Sequence, residues 1–168
     1  MKNELNTELA TAPRLRFVRG GFLEQPNYTF VLDLADEDKN PDIVFAWAIG
    51  STSNSNTITL VKDGALIANG VGQQDRVGAA QLALLRADEA VKLVNKSQRQ
   101  ANLYGAVAYS DSFFPFPDAP EALINRGISA ILSSSGSVND KLTIELCQRK
   151  GVKLILLPDK EIRGFFGH

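Results

Sequence analysis

Leu103–Tyr109 (LYGAVAY), Ile128–Leu132 (ISAIL) and Val152–Leu157 (VKLILL) decide how this chain folds. Each is a short, nearly continuous apolar run, the pattern of a strand buried on both faces. Between the first two runs, Asp118 with Glu121 three residues on resembles a capping box that opens a helix. Ser137 with Asp140 repeats that logic ahead of a helix over 138–150, and Gly151 follows, where a residue without Cβ suits a left-handed cap. Strand, helix, strand, helix, strand requires a parallel stretch of sheet with helices covering its faces.

Upstream, Thr57–Lys62 and Ala65–Gly70 are β-rich runs separated by Asp63-Gly64, the two-residue signal of a hairpin with a type I′ turn. That hairpin adds an antiparallel pair at the start of the sheet. From Val77 the apolar positions Ala80, Leu84, Ala87, Val91 and Val94 recur at steps of three and four, an amphipathic helix of about five turns. Asn40-Pro41 starts an earlier helix, with proline at its first position, that runs through Ile43–Ile49 into a Gly-Ser-Thr-Ser-Asn linker. Arg14–Gln25 reads as an extended entry segment bent at Gly20-Gly21, and Tyr28–Leu34 as a further strand. The expected fold class is α/β, three layers with a mixed sheet. Residues 1–13 are expected to be a flexible start and 14–168 a single domain; the initial Met and the C-terminal pattern lead to the expectation of a complete small chain.

Composition narrows the functional classes. A chain that is 44% hydrophobic and 22% charged has enough apolar residues for a core. A net charge of −1 offers no basic excess to grip nucleic acid or an anionic membrane, so an anionic ligand has to be held locally. No apolar run approaches the ~20 residues of a membrane span, and the first thirteen residues do not read as a secretory signal. A cytoplasmic protein is expected. The one cysteine, Cys147, lies in an apolar helical pattern and reads as a buried structural thiol.

One His and one Cys exclude a zinc deaminase, which needs His-x-Glu and Pro-Cys-x-x-Cys to hold its metal. A triad hydrolase would have to recruit the final residue, His168, as its base. Gly70-Val71-Gly72 invites a dinucleotide-loop reading, but the third glycine is absent and Asp75 would repel a pyrophosphate. The two glycines more simply end the hairpin and turn the chain into its helix.

Taken together, Asn56, Arg76, Phe113 and Arg163 offer an amide, two guanidiniums and an aromatic face, a set that suits a phosphorylated heteroaromatic. Each also has a plainer reading. Core packing is expected for at least two of Phe113, Phe114 and Phe116, with Phe113 alone taken as a site residue. Arg76 could pair with an acid on its own helix, although a cation in the first turn opposes the helix dipole, which favours a ligand-binding reason.

The chain resembles the transformylase region of the bifunctional purine-biosynthesis family that formylates aminoimidazole carboxamide ribotide (AICAR) and closes the ring to inosine monophosphate. The resemblance is carried by Arg16–Gln25 (RFVRGGFLEQ), Ser55-Asn56, Lys62-Asp63-Gly64, Gly70–Arg76 (GVGQQDR), Ser110–Phe116 (SDSFFPF), Ser135-Gly136-Ser137 and Arg163 with the terminal aromatics and His168. It implies one of two zinc-free, cytidine-deaminase-like halves, specifically the second. The family's catalytic Lys-His pair lies in the first half, and no Lys-His dipeptide occurs in this sequence. The terminal pattern here also carries one extra residue.

By that resemblance Asn56, Arg76, Phe113 and Arg163 contact the ribotide, Asn56 is also the catalytic candidate, and Asp118 lies on the folate side. Ser53, Ser55, Thr57 and Asp111 correspond to a potassium site, or else satisfy loop backbone amides as short polar side chains do. The implied function is one subunit of a split AICAR formyltransferase, inactive alone, that takes its formyl group from 10-formyl-tetrahydrofolate and needs a separate chain carrying the Lys-His half. The alternatives are a non-catalytic ribotide-binding or regulatory homo-oligomer and a self-associated chain that uses His168. Packing against a sister half implies a dimer or heteromer.

Overall fold

A computed structural model describes residues 12–25, 31–95, 97–98 and 100–163 of the chain. The described residues start in a two-stranded antiparallel hairpin, β1 (Arg14–Val18) and β2 (Gly21–Gln25), paired from Arg14 opposite Gln25 to Val18 opposite Gly21. The expected bend at Gly20-Gly21 falls one residue earlier, in a turn at Arg19-Gly20 where Gly20 has a φ of 90°. Leu15, Phe17 and Phe22 share one face of this hairpin, the two rings meeting edge to face at 5.5 Å, and all three are more than 60% exposed. Neither strand contributes to the hydrophobic cores.

The main sheet holds β3 (Ile58–Lys62), β4 (Ala65–Gly70), β5 (Val107–Ser110), β6 (Ala130–Ser134) and β7 (Lys153–Leu157), in the order β4-β3-β5-β6-β7. β3 runs antiparallel to both neighbours, whereas β5, β6 and β7 are parallel. Alternation along the strands divides the core in two. Ile58, Leu60, Ala106, Ala108 and Ile131 face α2 (Arg76–Val94) and α3 (Asp118–Ile124). Val61, Val107, Tyr109, Leu132 and Ile155 face α1 (Pro41–Gly50) and α5 (Asp159–Arg163). α4 (Asp140–Lys150) buries Thr143, Leu146 and Cys147 and packs against α3 and β7. Helices thus cover both faces of a mixed sheet.

Local chemistry accounts for the details. Asp63 and Gly64 have φ of 52° and 73°, the paired positive values of a type I′ turn. Their amides donate to the Asp42 carboxylate of α1, at 2.8 Å each, so the hairpin tip is fastened to the helix below it. Pro41 opens α1 and the Asn40 side chain caps it by accepting from the Asp42 amide at 2.9 Å. On the other face α2 lies close to β4 because Ala79, Ala80, Ala83 and Ala87 line its inner side. A Cβ at Gly70 would collide with the backbone of Ala79 and Ala83.

Four expectations shift. The apolar run from Leu103 yields a strand only from Val107: Ala106 donates back to Leu103 in a turn and Gly105 takes a φ of 81°, while Leu103 plugs the core. α4 starts at Asp140, not 138, because the predicted capping groups act in the loop ahead of it. Ser137 Oγ accepts from the Asn139 amide and Asp140 Oδ2 from the Gly136 amide. Pro117, not Asp118, takes the N-cap position of α3, and Asp118 Oδ1 accepts from the neighbouring Ala119 amide. Of the expected strand Tyr28–Leu34, positions 31–34 are irregular and 28–30 lie outside the described residues.

Asp88 of α2 clamps two later segments. Its carboxylate accepts from the Ala101 amide at 2.8 Å and from both Arg126 Nη atoms, at 2.6 and 3.2 Å. Burial pushes the carboxyl up, but the Arg126 and Ala101 hydrogen bonds and the charges of Arg126 and Lys92 outweigh it, leaving the group below its ordinary 3.8.

Gly70→Ala is expected to destabilise the protein by about 2–3 kcal/mol as overpacking against α2, read as a lowered midpoint in urea. Because the folded-state pKa of Asp88 is depressed, its contribution is complete above the unfolded value and fades as acid lowers the pH through the folded one. The stability gap between the wild type and Asp88→Asn should therefore be constant near neutral pH and shrink below the ordinary carboxylate range, as measured by urea unfolding across the acid limb.

Candidate functional site

Register brings five loops to one edge of the sheet. Ile58 at the start of β3 pairs with both Gly70 at the end of β4 and Ser110 at the end of β5, and Ser134 at the end of β6 pairs with Leu157 at the end of β7. The segments 51–57, 71–75, 111–117, 135–139 and that leading into α5 therefore all meet at the carboxyl ends of the parallel strands, the usual position for a ligand crevice in an open α/β sheet. The N-terminus of α2 joins them there.

Asn56 and Gln73 bridge the first two loops. Their backbones exchange hydrogen bonds at 3.1 and 3.2 Å, extending the β3–β4 ladder, and Asn56 Nδ2 donates to the Gln73 carbonyl at 2.8 Å. One amide N–H and the side-chain oxygen of Asn56 meet no partner among the described residues. Gly72 donates to the Asn54 carbonyl at 2.9 Å, fastening the same loops at a second point.

Arg76 is the first residue of α2 and Asp75 is its N-cap, accepting from the Gly78 amide at 2.6 Å. Arg76 pairs with an acid, as one reading of the sequence allowed, but not with one on its own helix. Its Nη1 donates to Asp111 Oδ1 in a salt bridge whose two side chains are each 6% exposed. The same Asp111 oxygen accepts from the Thr57 amide at 2.7 Å, and the Asp111 amide donates to the Thr57 carbonyl at 3.2 Å. One buried ion pair thus joins the start of α2, the start of β3 and the loop after β5.

That loop continues along the edge. Phe114 turns into the core at 2% exposure, Phe113 is half-buried and Phe116 is 60% exposed. Core packing thus fully claims one ring rather than two, because Pro115 and Pro117 hold the chain along the rim and keep Phe116 outside. Asp118 is exposed at the start of α3. Arg163 closes α5, which is tied to α1 by a 2.6 Å bond from Trp47 Nε1 to the Ile162 carbonyl. His168 lies outside the described residues.

The four residues expected to hold potassium are only partly gathered. Thr57 and Asp111 are bonded to each other as described. Ser53 Oγ donates to Ile49 O and accepts from Asn69 Nδ2, Thr57 Oγ1 donates to Asn54 O, and Ser55 is exposed. The one carboxylate of the set has its charge met by Arg76. Among the described residues no three His, Cys, Asp or Glu side chains gather as a metal site.

Sequence reasoning overlooked the serines at the strand ends. Ser110 Oγ and Ser133 Oγ both donate to the Ser112 carbonyl, at 2.7 and 2.9 Å, locking the ends of β5 and β6 together. Ser134 Oγ is buried and meets no partner among the described residues. The available signal was hydroxyls closing otherwise apolar strands. Cys147 is remote from this edge by sequence element, on α4, and burial pushes its thiol up to about 11.

With the geometry in place, comparison gives the chain its relatives. The model of the AICARFT/IMPCHase bienzyme family matches residues 5–86. The bifunctional purine biosynthesis protein PurH of Thermoanaerobacter sp. is 38% identical over 134 residues, 79% of this chain and 24% of the relative. The PurH proteins of Anoxybacillus flavithermus and Cutibacterium acnes are 32% and 41% identical over 90% and 73% of this chain, and 29% and 21% of their own length. The chain resembles a region of PurH and spans about a quarter of the length of these curated relatives.

A thiol at about 11 carries almost no thiolate at neutral pH. Disulfide-exchange reagents should therefore label native Cys147 at least about 100-fold more slowly than the urea-unfolded chain. Rapid labelling of the native protein would show the thiol to be accessible.

Proposed function

We propose that this chain belongs to the AICARFT/IMPCHase bienzyme family, acts in purine biosynthesis, and forms the second, zinc-free, cytidine-deaminase-like half of a split AICAR transformylase. The observation that carries this reading is the likeness to PurH proteins, which extends over 90% of the chain in one of them. The gathering of Asn56, Arg76 and Phe113 at one sheet edge is consistent with it. Residues 14–168 are taken as the domain, working in the cytoplasm as a dimer or with a separate chain that supplies the Lys-His half.

The reaction would move a formyl group from N10 of 10-formyl-tetrahydrofolate to the ring amine of AICAR. The amine attacks the formyl carbon and loses a proton, while the C–N10 bond breaks and N10 regains one. Such a weak nucleophile needs close positioning, a proton acceptor and a polarised formyl oxygen. In this reading Asn56 offers its free amide groups next to the reacting amine, Phe113 covers the base, Arg76 and Arg163 supply guanidinium donors to the ribotide, and Asp118 borders the folate. Proton transfer falls to the partner's Lys-His pair. An alkali ion beside Asp111, which the family resemblance implies, would share a carboxylate whose charge Arg76 already balances.

The absence of any Lys-His dipeptide favours a second reading for the chain by itself, a ribotide-binding or regulatory homo-oligomer. Calorimetric titration with AICAR monophosphate, followed by an assay with a Lys-His partner chain, separates the two. Binding by the wild type that is lost in Asn56→Ala, with formyl transfer appearing only on mixing, is the expected result. Retained binding with persistent inactivity would leave the binder, and no binding to the wild type would contradict both.

A further inference from the structure

We infer that Asp111 is a positioning residue, which acts on the ligand through Arg76 instead of touching it. This inference rests on the ribotide reading of the site for its functional consequence but not for its geometry. Arg76 occupies the first turn of α2, where the aligned peptide dipoles disfavour a cation, and its side chain is almost wholly buried. A guanidinium placed there needs a fixed counter-charge. Asp111 supplies it from the loop after β5.

Asp111 is itself held at both ends. Its amide donates to Thr57 O and its carboxylate accepts from Thr57 N, so the aspartate is locked to the residue just ahead of β3 before it meets the arginine. No other acid takes this role among the described residues. The nearest in sequence, Asp75, spends its Oδ1 on the Gly78 amide as the helix cap.

Only one of the five guanidinium N–H groups of Arg76 has an acceptor among the described residues, the Asp111 carboxylate. In this inference the others, which meet no acceptor among the described residues, serve the ligand from a side chain only 6% exposed, in an orientation set by that single anchored bond. Because Asp111 neutralises the arginine, what the pair presents is directed N–H donors with little net charge. Removing the aspartate frees the guanidinium to rotate and leaves its charge unbalanced.

The test uses Asp111→Asn, which keeps an oxygen for the Thr57 amide while removing the charge, together with Arg76→Gln and the double variant. The 15N–1H spectrum of the arginine side chains should show one Nε–H signal, lost in Arg76→Gln, that exchanges slowly in the wild type. In Asp111→Asn that signal should move to the position and exchange rate of exposed arginines, and AICAR monophosphate affinity should fall by at least about tenfold. The double variant should be no less stable than Asp111→Asn alone, since it also removes the stranded charge.

An Arg76 signal unchanged in Asp111→Asn, with affinity within about twofold of the wild type, would overturn the inference. So would additive losses of stability in the double variant, which also decides the matter where Asp111→Asn is too unstable for spectroscopy. A wild type that binds no ribotide would count against the proposed function, while the spectrum and the stability cycle would still judge the positioning role.

Discussion

A buried positive charge at the start of a helix is stable only where something negative is fixed beside it, and at this sheet edge Asp111 answers Arg76. The pair belongs to two elements separated by 35 residues of sequence, and its carboxylate also accepts from the first residue before β3. The start of α2, the residue ahead of β3 and the loop after β5 are held together by one carboxylate. Around this junction neutral contacts join the loops: Asn56 with Gln73, Gly72 with Asn54, Ser110 and Ser133 with the Ser112 carbonyl. Taking one charge away would leave the other stranded in a dry environment, a cost of several kcal/mol in typical buried pairs.

The sheet makes that junction possible. Antiparallel β3 brings its first residue to the same edge as the last residues of parallel β5, β6 and β7, so the chain delivers polar loops there from several directions. Small residues set the depth of the layers. Gly70 and the alanine stripe of α2 let the helix lie against β4, which fixes where the first turn of the helix, and therefore Arg76, emerges.

Much of this was legible in the sequence because it depends on local chemistry. Asp63-Gly64 specifies its turn by requiring positive φ twice, Asn40-Pro41 by a side-chain cap and a missing N–H, and Gly151 by its left-handed cap with a φ of 67°. β5 and β6, buried at every position, announced themselves by nearly continuous apolar runs, whereas β7, read the same way, is an edge strand with only Ile155 buried. Less legible were features that depend on partners distant in sequence. No periodicity reveals that Asp111 will meet Arg76, or that a single serine carbonyl will gather two hydroxyls. The start of β5 was misplaced for a related reason: Leu103 is as apolar as a strand residue but enters the core from a turn. At the candidate site, Thr57, Arg76 and Asp111 come together through shared hydrogen bonds and Asn56 is bonded to Gln73 of the adjoining loop, while Asp118 and Arg163 sit at the ends of their own helices.

The central claim is that this polar edge, organised by the Arg76–Asp111 pair, is where the chain meets its ligand. Amide hydrogen exchange of the whole chain with and without AICAR monophosphate tests it most directly. The account predicts new protection concentrated in residues 54–57, 72–77 and 110–114, with the opposite edge around 36–41 and 153 unchanged. Protection confined to that opposite edge, or to the β1–β2 hairpin, would contradict it.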